Sequence, residues 1–219
     1  MLRKDGLSTR KRILDAALVI FGEKGYRDAT TAEVCQAARA NCAAVNYHFR
    51  SKEQLYRDVC AHAIAAMAER YPPEGNVSEA APPEDRLFGH IDAVIRRSRV
   101  KGPLRHYHSL RMMETFHPTG LVDDLWNSWF GRHRELSAAI IGEMLGPEAT
   151  ADEVLRCQMS LMSQCYIANS SAVTGRFHNL DATHLCNTET VVDHIYCFTR
   201  AGVEAIRREI EQRTSKICQ

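Results

Sequence analysis

The stretch that decides the fold is residues 30–53, TTAEVCQAARANCAAVNYHFRSKE. It contains three signals for the start of a helix, each a side chain able to accept a hydrogen bond from a nearby backbone N–H. The signals are Thr30 with Glu33 in a capping box, Asn41, and Ser51 with Gln54 at the reciprocal position. Their spacing predicts two short helices joined by a tight turn, followed by a longer helix that starts at Ser51.

The second short helix, which follows Asn41, has an unusual set of side chains for its length. It carries Asn46, Tyr47 and His48, and Arg50 comes directly after it. A small helix with exposed polar and aromatic groups suits insertion into a DNA groove. The stretch therefore favours sequence-specific DNA binding over catalysis.

The charge of the chain supports the same interpretation once it is divided along the sequence. The net charge is +1, but residues 1–57 hold eleven Lys and Arg against six Asp and Glu. The remainder holds seventeen Lys and Arg against twenty-one Asp and Glu. A basic N-terminal segment on a slightly acidic body indicates that one end of the protein meets a polyanion.

Composition limits the class of protein. With 219 residues and a hydrophobic fraction of 45%, the chain can form one large domain or a small module plus a larger one. No apolar run is long enough to span a bilayer, and residues 1–6 lack the apolar core of a secretory signal. We expect a cytoplasmic protein with no membrane partner, whose eight cysteines are mostly reduced and buried.

Apolar spacings of three and four dominate, and no period-2 pattern is evident, so the chain is predicted to be all-α with about nine helices. Helix 1 is expected from about Thr9 to Lys24, with Gly25 as its stop. Helix 4 is expected to reach about Tyr71, and the Pro-rich stretch 72–83 is a linker. The later helices are predicted at 84–100, 104–116, 120–145, 151–174 and 188–213.

The last two predicted helices have wide apolar faces. The helix at 151–174 carries two adjacent stripes, one containing Cys157, Leu161 and Cys165 and the other Leu155, Met159 and Met162. Two stripes form a wider apolar arc than one neighbouring helix needs. The helices near 151–174 and 188–213 are therefore predicted to form a four-helix homodimer interface. The alternative is that both are central helices of a monomer.

At this point the residues resemble the TetR family of bacterial transcriptional regulators. The resemblance covers about residues 9–60 and rests on fixed spacing between several short motifs. The motifs are Phe21-Gly22-Glu23-Lys24-Gly25-Tyr26, Thr30-Thr31, Asn46-Tyr47-His48-Phe49, Ser51-Lys52-Glu53 and Leu55-Tyr56. The segment Ala44–Phe49 is similar to the subgroup with a CecR/CerR-type C-terminal domain. Further similarity to that domain lies in Arg111-Met112-Met113-Glu114, Pro118-Thr119 and Ser163-Gln164-Cys165.

The resemblance implies a three-helix helix-turn-helix DNA-binding domain at residues 1–55 and a helical ligand-binding and dimerisation domain at residues 56–219. It also shows departures. Arg39 and Arg50 stand where glycine is common, and Cys42 stands where a polar or basic contact residue is common. Because non-glycine residues tolerate a left-handed backbone poorly, either these two arginines are not left-handed or some strain is accepted.

If helix 3 enters the major groove, its outer face is expected to contain Cys42, Ala43, Asn46 and Tyr47. Asn46 can pair with an adenine edge, and the short side chains of Ala43 and Ala44 let the backbone approach a thymine methyl group. The expected phosphate contacts are Thr31, Tyr47, His48 and Lys52. The alternatives are partial burial of Tyr47 and His48 against helix 1 and an ordinary solvated Lys52.

A dimer would place two such helices about one DNA turn apart, roughly 34 Å, and select a palindrome of double-stranded DNA. The resemblance further implies an effector pocket behind the linker, here lined by aromatic, methionine and polar residues suited to a small, partly apolar molecule. The candidates are His106, His108, Met112, Met113, Phe116, Trp126, Trp129, Phe130 and Cys165. The alternative for each is ordinary core. In the simplest case such a protein is a repressor that its ligand releases from DNA. Helix 4, which connects the DNA-binding module to the body, is expected to transmit the change.

Other functions remain open at this level. Oxidation of Cys42 could block DNA contact, and His178, His184 and Cys186 could bind zinc, although their spacing matches no strong ligand motif. A scaffold that has kept the fold without binding DNA is a further alternative. No GxSxG, HExxH, P-loop or dinucleotide fingerprint is present, so neither enzyme activity nor a cofactor is expected.

Overall fold

The computed structural model describes residues 2–168 and 187–217. Within these ranges it contains nine α-helices, one short 3-10 helix and no strand, which confirms the all-α prediction. The helices are α1 (Leu2–Asp28), α2 (Thr31–Ala37), α3 (Cys42–Phe49), α4 (Lys52–Arg70), α5 (Pro83–Ser98), α6 (His106–Phe116), α7 (Asp123–Leu145), α8 (Ala151–Ala168) and α9 (Thr188–Ile217), with the 3-10 helix at Pro103–Arg105.

The chain divides into two compact units. The first consists of Met1–Arg70 and Val100–Trp129, and the second of Tyr71–Arg99 and Phe130–Gln219. The first unit contains the helix-turn-helix together with α6 and the beginning of α7. The division into a DNA-binding segment at 1–55 and an effector and dimerisation segment at 56–219 stays a prediction. The two compact units are defined by contacts within the chain, which do not identify the residues that bind DNA, an effector or a second chain.

Helix boundaries follow the local signals closely, with one clear difference. Helix α1 begins at Leu2 rather than at about Thr9; the predicted start relied on the apolar stripe, whose first member is Ile13. At Gly25 the backbone leaves the helical region, with φ 78° and ψ 173°, as expected for a stop, although helical turns resume to Asp28. Helix α8 is described to Ala168, so the predicted remainder, 169–174, lies outside the described residues.

In the first unit, α1 packs on α2, α4 and α6 around an aromatic centre. Phe21 and Tyr56 are both about fully buried, and their rings meet edge to face with centroids 5.0 Å apart. Tyr26 lies 5.0 Å from Tyr56 and completes the cluster. Such pairs add roughly 0.5–1.5 kcal/mol beyond the area they bury. This cluster fixes the end of α1 against α4.

The second unit has a separate aliphatic core. It is formed by one face of α5, the C-terminal part of α7, and the inner faces of α8 and α9. The buried residues include Leu87, Ile91, Ile95, Ile140, Ile141, Cys157, Leu161, Cys165, Val192, Ile195, Val203 and Ile210. The first of the two predicted stripes on α8 is therefore a core stripe.

Gly22 permits the close approach of α1 to α6 and gives a testable expectation. A Cβ at this position would lie 2.5 Å from Cβ of His106, a distance that forces the two helices apart. We expect Gly22→Ala to lower the free energy of unfolding by about 1–3 kcal/mol, as overpacking of a core does. Urea denaturation followed by circular dichroism measures this change.

Gly142 provides the matched control, because it also lies in a helix and its added Cβ would come no closer than 3.9 Å to Val154. Gly142→Ala should leave stability unchanged or raise it by up to about 1 kcal/mol through the better helix propensity of alanine. Equal stability of the Gly22→Ala and Gly142→Ala variants would contradict this account of the α1–α6 contact.

Candidate nucleic-acid interface

The ends of α2 and α3 are held by the capping residues that the sequence indicates. Thr30 Oγ1 accepts from the Glu33 N–H at 3.3 Å, and the Glu33 carboxylate accepts from the Thr30 N–H at 2.9 Å. Asn41 Oδ1 accepts from the Ala43 N–H at 2.9 Å. These short-range bonds satisfy backbone donors that the helix itself leaves unpaired. They fix the residues at which α2 and α3 begin.

Helix α4 begins in a similar way, with one difference from the expectation. Ser51 Oγ accepts from the Gln54 N–H at 3.1 Å, which confirms the cap. The Gln54 side chain does not return to the backbone of Ser51. Its amide donates instead to Asp58 at 2.7 Å, one turn along α4. An acceptor one turn away on the same helix face offers an alternative partner at normal distance.

Both arginines that depart from the family pattern have positive φ. Arg39, in the turn between α2 and α3, has φ 49°, and Arg50, directly after α3, has φ 63°. A side chain in this region costs of order 1–3 kcal/mol of backbone strain. Of the two possibilities left open by the sequence, the chain accepts the strain at both positions, one in the turn before α3 and one directly after it.

Helix α3 presents one buried and one exposed side. Val45 and Phe49 are about 2% and 1% exposed, respectively, and anchor the helix. The opposite side contains exposed Cys42, Ala43, Asn46 and Tyr47, with Ala44 and His48 half-buried. Tyr47 is 82% exposed, so its side chain does not pack against α1, whereas His48 keeps part of its ring covered. The structure thus brings together on one surface the residues proposed to read base edges.

The base of α3 is secured from α1. The Arg10 guanidinium lies 5.1 Å above the Phe49 ring and donates to Asp58 of α4 at 2.5 Å. A cation over an aromatic face contributes about 0.5–1 kcal/mol at a partly exposed site. Arg10 therefore links three helices, a role that sequence reasoning missed because its partners are 39 and 48 positions away.

Two of the expected phosphate contacts lie at helix starts. Thr31 is half-buried at the first position of α2, and Lys52 is half-buried at the first position of α4. The Lys52 ammonium donates to the Arg27 carbonyl at 3.3 Å and lies 4.6 Å from the Tyr26 ring centroid. Lys52 is therefore not an ordinary solvated lysine. Because an ammonium has three N–H donors, the bond to Arg27 does not exhaust its capacity to bind a phosphate.

The capping box of α2 predicts a specific pH dependence. The hydrogen bond from Lys24, at 2.5 Å, and then the bonds from Thr30 lower the pKa of Glu33 from 4.5 to about 2. A carboxyl group with a depressed folded-state pKa stabilises the fold above pH 4.5 and loses that contribution as the pH falls towards 2. We expect Glu33→Gln to flatten this part of the stability profile, as measured by thermal unfolding at stepwise pH.

Lys24→Ala tests the same contact from the other partner. It should raise the pKa of Glu33 and remove part of the acid-side slope, because the first cause of the shift is the lysine. An unchanged slope between pH 4.5 and 2 in both variants would show that the capping carboxylate does not contribute as proposed.

A buried polar cluster joins α4 to the segment that follows α6, within the first unit. The Tyr56 hydroxyl donates to Glu114 at 2.6 Å, and Glu114 also accepts from the Thr119 N–H at 3.1 Å and from the Thr119 hydroxyl at 3.0 Å. Glu114 is 8% exposed. Its oxygens thus satisfy three donors in a site where unpaired polar groups are costly.

A second contact reinforces this connection one residue along α4. The Arg57 guanidinium binds the Asp124 carboxylate through two hydrogen bonds, at 3.0 and 2.7 Å, and also donates to the Leu121 carbonyl. Glu114 and Thr119 belong to the motifs that carry the family resemblance, but sequence reasoning assigned them no role. The available signal was an acidic residue, Glu114, directly after Met112 and Met113.

The effector candidates occupy different environments. In the first unit, His106, Trp126 and Trp129 are buried, and Trp129 Nε1 donates to the Tyr107 hydroxyl at 2.7 Å. His108, Met112 and Met113 are half-buried, whereas Phe116 is 60% exposed. Burial and the nearby Arg111 lower the pKa of His108 to about 4, so its imidazole is neutral at pH 7.

Phe130 and Cys165 belong to the second unit, where Phe130 is half-buried and Cys165 is buried. Burial raises the pKa of Cys165 to about 12, so it is a protonated thiol in the core. In the first unit, Met113 lines a cleft of about 260 Å³, together with Tyr26, Tyr56, Glu114 and Thr119. The assignment of the candidate set to an effector stays a prediction.

The metal alternative cannot be placed on the structure. His178, His184 and Cys186 lie outside the described residues. Within 2–168 and 187–217, no group of three His, Cys, Asp or Glu side chains is arranged to hold a metal ion. In the same part of the chain, none of the helices combines the length and apolar character needed to cross a bilayer.

The helical fold, the two capped helices at a tight turn and the exposed face of α3 define a helix-turn-helix transcriptional regulator. Two family models match: bacterial regulatory proteins of the tetR family over residues 13–59, and the C-terminal domain of the HTH-type transcriptional dual regulator CecR over residues 83–203. The chain therefore belongs to the TetR family and carries a CecR-type C-terminal domain. This family and the relatives found are transcriptional regulators rather than enzymes.

Individual proteins support the assignment. The HTH-type transcriptional dual regulator CecR of Shigella flexneri is 41% identical over 85 residues, a match that spans 37% of each chain. A TetR-like transcriptional regulator from Rhodococcus sp. RHA1 has a TM-score of 0.67 at 14% identity, covering 89% of this chain and 95% of that one. AibR, solved in complex with isovaleryl coenzyme A and operator DNA, has a TM-score of 0.63 at 14% identity, covering 86% and 96%.

Proposed function

We propose that this protein is a ligand-responsive repressor that binds a palindromic operator as a homodimer. The observation that carries the DNA-binding part is the exposed side of α3, where Asn46 and the 82%-exposed Tyr47 project from a helix anchored by Val45 and Phe49. An asparagine amide offers a donor and an acceptor that match the major-groove edge of adenine. The fold shared with AibR, which was solved with operator DNA, is in keeping with this use.

The decisive experiment is selection of bound sequences from random double-stranded DNA by the full-length protein. We expect an enriched palindrome whose half-sites lie about one helical turn apart, since a two-fold dimer presents two copies of α3. Binding should weaken steeply with salt, as expected when lysine and arginine displace counterions from phosphates. Recovery of no motif, or of binding without salt dependence, would contradict the proposal.

Self-association is supported by the outer faces of α8 and α9. Five large apolar side chains on these two helices are between 42% and 64% exposed: Leu155, Met159, Met162, Ile167 and Phe198. Small residues Ala201, Gly202 and Ala205 are exposed on α9 and permit close approach of a second helix. Exposed apolar side chains in this number on two helices are unfavourable in water unless another surface covers them.

A charge among these exposed apolar side chains should disrupt the dimer. We expect Phe198→Asp to shift the protein towards the mass of one chain in sedimentation, because a dimer would bury the carboxylate without a partner. Phe116→Asp is the matched control, since Phe116 is 60% exposed but lies on α6. Loss of self-association in both variants, or in neither, would argue against an interface formed by α8 and α9.

The proposed response to ligand uses α4 as the connecting element. Tyr56 and Arg57 tie α4 to Glu114 and Asp124, so movement of the α6–α7 segment is transmitted to the helix that follows α3. A ligand that favours the wrong spacing of the two α3 helices lowers DNA affinity by its differential binding energy, commonly about 1–3 kcal/mol. The half-buried methionines and buried tryptophans near α6 suit a small, partly apolar effector.

A further inference from the structure

The phenol group of Tyr26 contacts two consecutive residues at the start of α4. Its hydroxyl donates to Glu53 Oε1 at 2.9 Å, and the Lys52 ammonium lies over its ring, 4.6 Å from the centroid. The same ammonium donates to the carbonyl of Arg27, the residue after Tyr26, at 3.3 Å. The end of α1 therefore supplies two electron-rich partners, an aromatic face and a carbonyl oxygen, for one lysine.

The Tyr26 ring is itself held in place from the core of the first unit. It lies 5.0 Å from the Tyr56 ring and 6.4 Å from the Phe21 ring, and both of these residues are about fully buried. Burial, followed by the bond to Glu53, raises the pKa of the Tyr26 hydroxyl, so it stays a protonated donor at pH 7. Because its packing and its hydroxyl bond both restrain it, the half-buried ring is a fixed support for the ammonium.

Lys52 needs such a support because of its position and its flexible side chain. It is the first residue of α4, where the positive end of the helix dipole disfavours a cation. A lysine side chain has many rotamers, and immobilising it when DNA binds lowers the affinity. A lysine that is held in place before DNA arrives avoids much of this loss. One of its three N–H groups faces the Arg27 carbonyl, so two remain for phosphate oxygens.

We propose that Tyr26 is a positioning residue for DNA binding, whose ring holds the Lys52 ammonium in place for a phosphate group. The inference rests on the proposed function, because the phosphate contact of Lys52 is part of that proposal. The bond to Glu53 restrains the ring, and the aromatic cluster carries it. Tyr26 acts on affinity through Lys52 and makes no DNA contact of its own, so the effects of changing the two residues should depend on each other.

A double-mutant cycle with the full-length protein measures this dependence. We expect Tyr26→Leu to lower affinity for the selected operator and for an unrelated duplex alike, by about 2- to 10-fold, as when one side chain loses its preorganisation. Lys52→Ala should then cost clearly less affinity in the Tyr26→Leu background than in the wild type. If the two single losses multiply in the double variant, Tyr26 does not act through Lys52 and the proposal is overturned.

Two control variants separate positioning from packing. Tyr26→Phe keeps the ring face and loses only the hydroxyl, so it should bind DNA like the wild type. Phe21→Leu removes a different, fully buried ring of the same cluster. It should lower the free energy of unfolding and leave the effect of Lys52→Ala on DNA affinity unchanged. If Phe21→Leu abolishes the Lys52 effect as Tyr26→Leu does, packing of the cluster explains the result and the positioning role is overturned.

Nuclear magnetic resonance tests the contact without DNA, and it decides the question even if Tyr26→Leu does not fold. The ring current shields protons above an aromatic face, so the ε-methylene signal of Lys52 should lie upfield of the other lysine signals in isotope-labelled full-length protein. Lys52→Arg identifies the signal by removing it. The upfield position should persist in Phe21→Leu. A Lys52 signal among those of the other lysines in the wild type would overturn the proposal.

The two measurements also separate this inference from the proposed function. If the wild type binds no DNA, the proposed function is contradicted, and a role for Tyr26 in DNA binding is overturned with it. If the wild type binds DNA with the expected salt dependence but the losses from Tyr26→Leu and Lys52→Ala multiply, only the positioning role is contradicted.

Discussion

Asn46→Ala is expected to lower affinity for the selected operator by about 5- to 150-fold, the equivalent of about 1–3 kcal/mol for one well-placed pair with an adenine. The amide is exposed on α3, beside Tyr47 and opposite the buried Val45, so its removal leaves the anchoring of the helix intact. Gel-shift titration against the operator and against an unrelated duplex of equal length measures the change. Affinity for the unrelated duplex should stay the same.

Two further variants make this experiment specific. Asn127→Ala removes the same amide from an exposed position on α7 and should bind like the wild type. Lys52→Ala should weaken operator and unrelated DNA alike and reduce the salt slope by about one, as loss of a phosphate contact does. If Asn46→Ala binds the operator as tightly as the wild type does, the proposal that α3 recognises bases through Asn46 is contradicted.

Glu114→Ala is expected to lower the free energy of unfolding by about 3 kcal/mol. The substitution leaves the Tyr56 hydroxyl and both donors of Thr119 without their acceptor in a buried site, and each such group costs about 1–3 kcal/mol. Urea denaturation followed by circular dichroism measures the loss. The same variant should also weaken the transmission of ligand binding along α4, because one of its two ties to the α6–α7 segment is gone.

Glu114→Gln separates hydrogen bonding from charge. The amide oxygen keeps one acceptor for Tyr56 or Thr119, so the loss should fall to about 1 kcal/mol. Glu69→Ala, at an exposed position on α4, should stay within about 0.5 kcal/mol of the wild type. If Glu114→Ala unfolds at the same urea concentration as Glu69→Ala, the buried cluster does not hold α4 in place.

The parts of the fold that sequence predicted well are those governed by neighbours along the chain. Thr30, Asn41 and Ser51 each bond to a backbone group two or three residues away, so residue type and spacing were enough to place the helix starts. The proline pair at 72–73 ended α4 at Arg70 for a similarly local reason. Hydrogen bonds between residues two or three positions apart can be predicted from short sequence motifs.

The parts that sequence could not reveal depend on distant partners. The sequence indicated no partner for Lys52 within the protein, but its ammonium contacts the Arg27 carbonyl and the Tyr26 ring. The expected phosphate contact of Lys52 stays a prediction. Nothing in the sequence around Gly22 indicates that His106 occupies the space where a Cβ of residue 22 would lie. Periodicity identifies which face of a helix is apolar, but it does not say which side chain from another helix lies against it.

Arg39 and Arg50, on either side of α3, have positive φ values that suit glycine better than arginine. Their replacement would change both the thermal stability of the protein and its local charge. Glycine would adopt the backbone conformation of Arg39 and Arg50 without the steric cost, so either replacement would relieve backbone strain in the folded state and raise its melting temperature. It would also remove a guanidinium group from the turn before α3 or from the residue after α3, next to the surface proposed to bind DNA. A variant with glycine at either position would therefore gain resistance to heat and lose a positive charge close to α3.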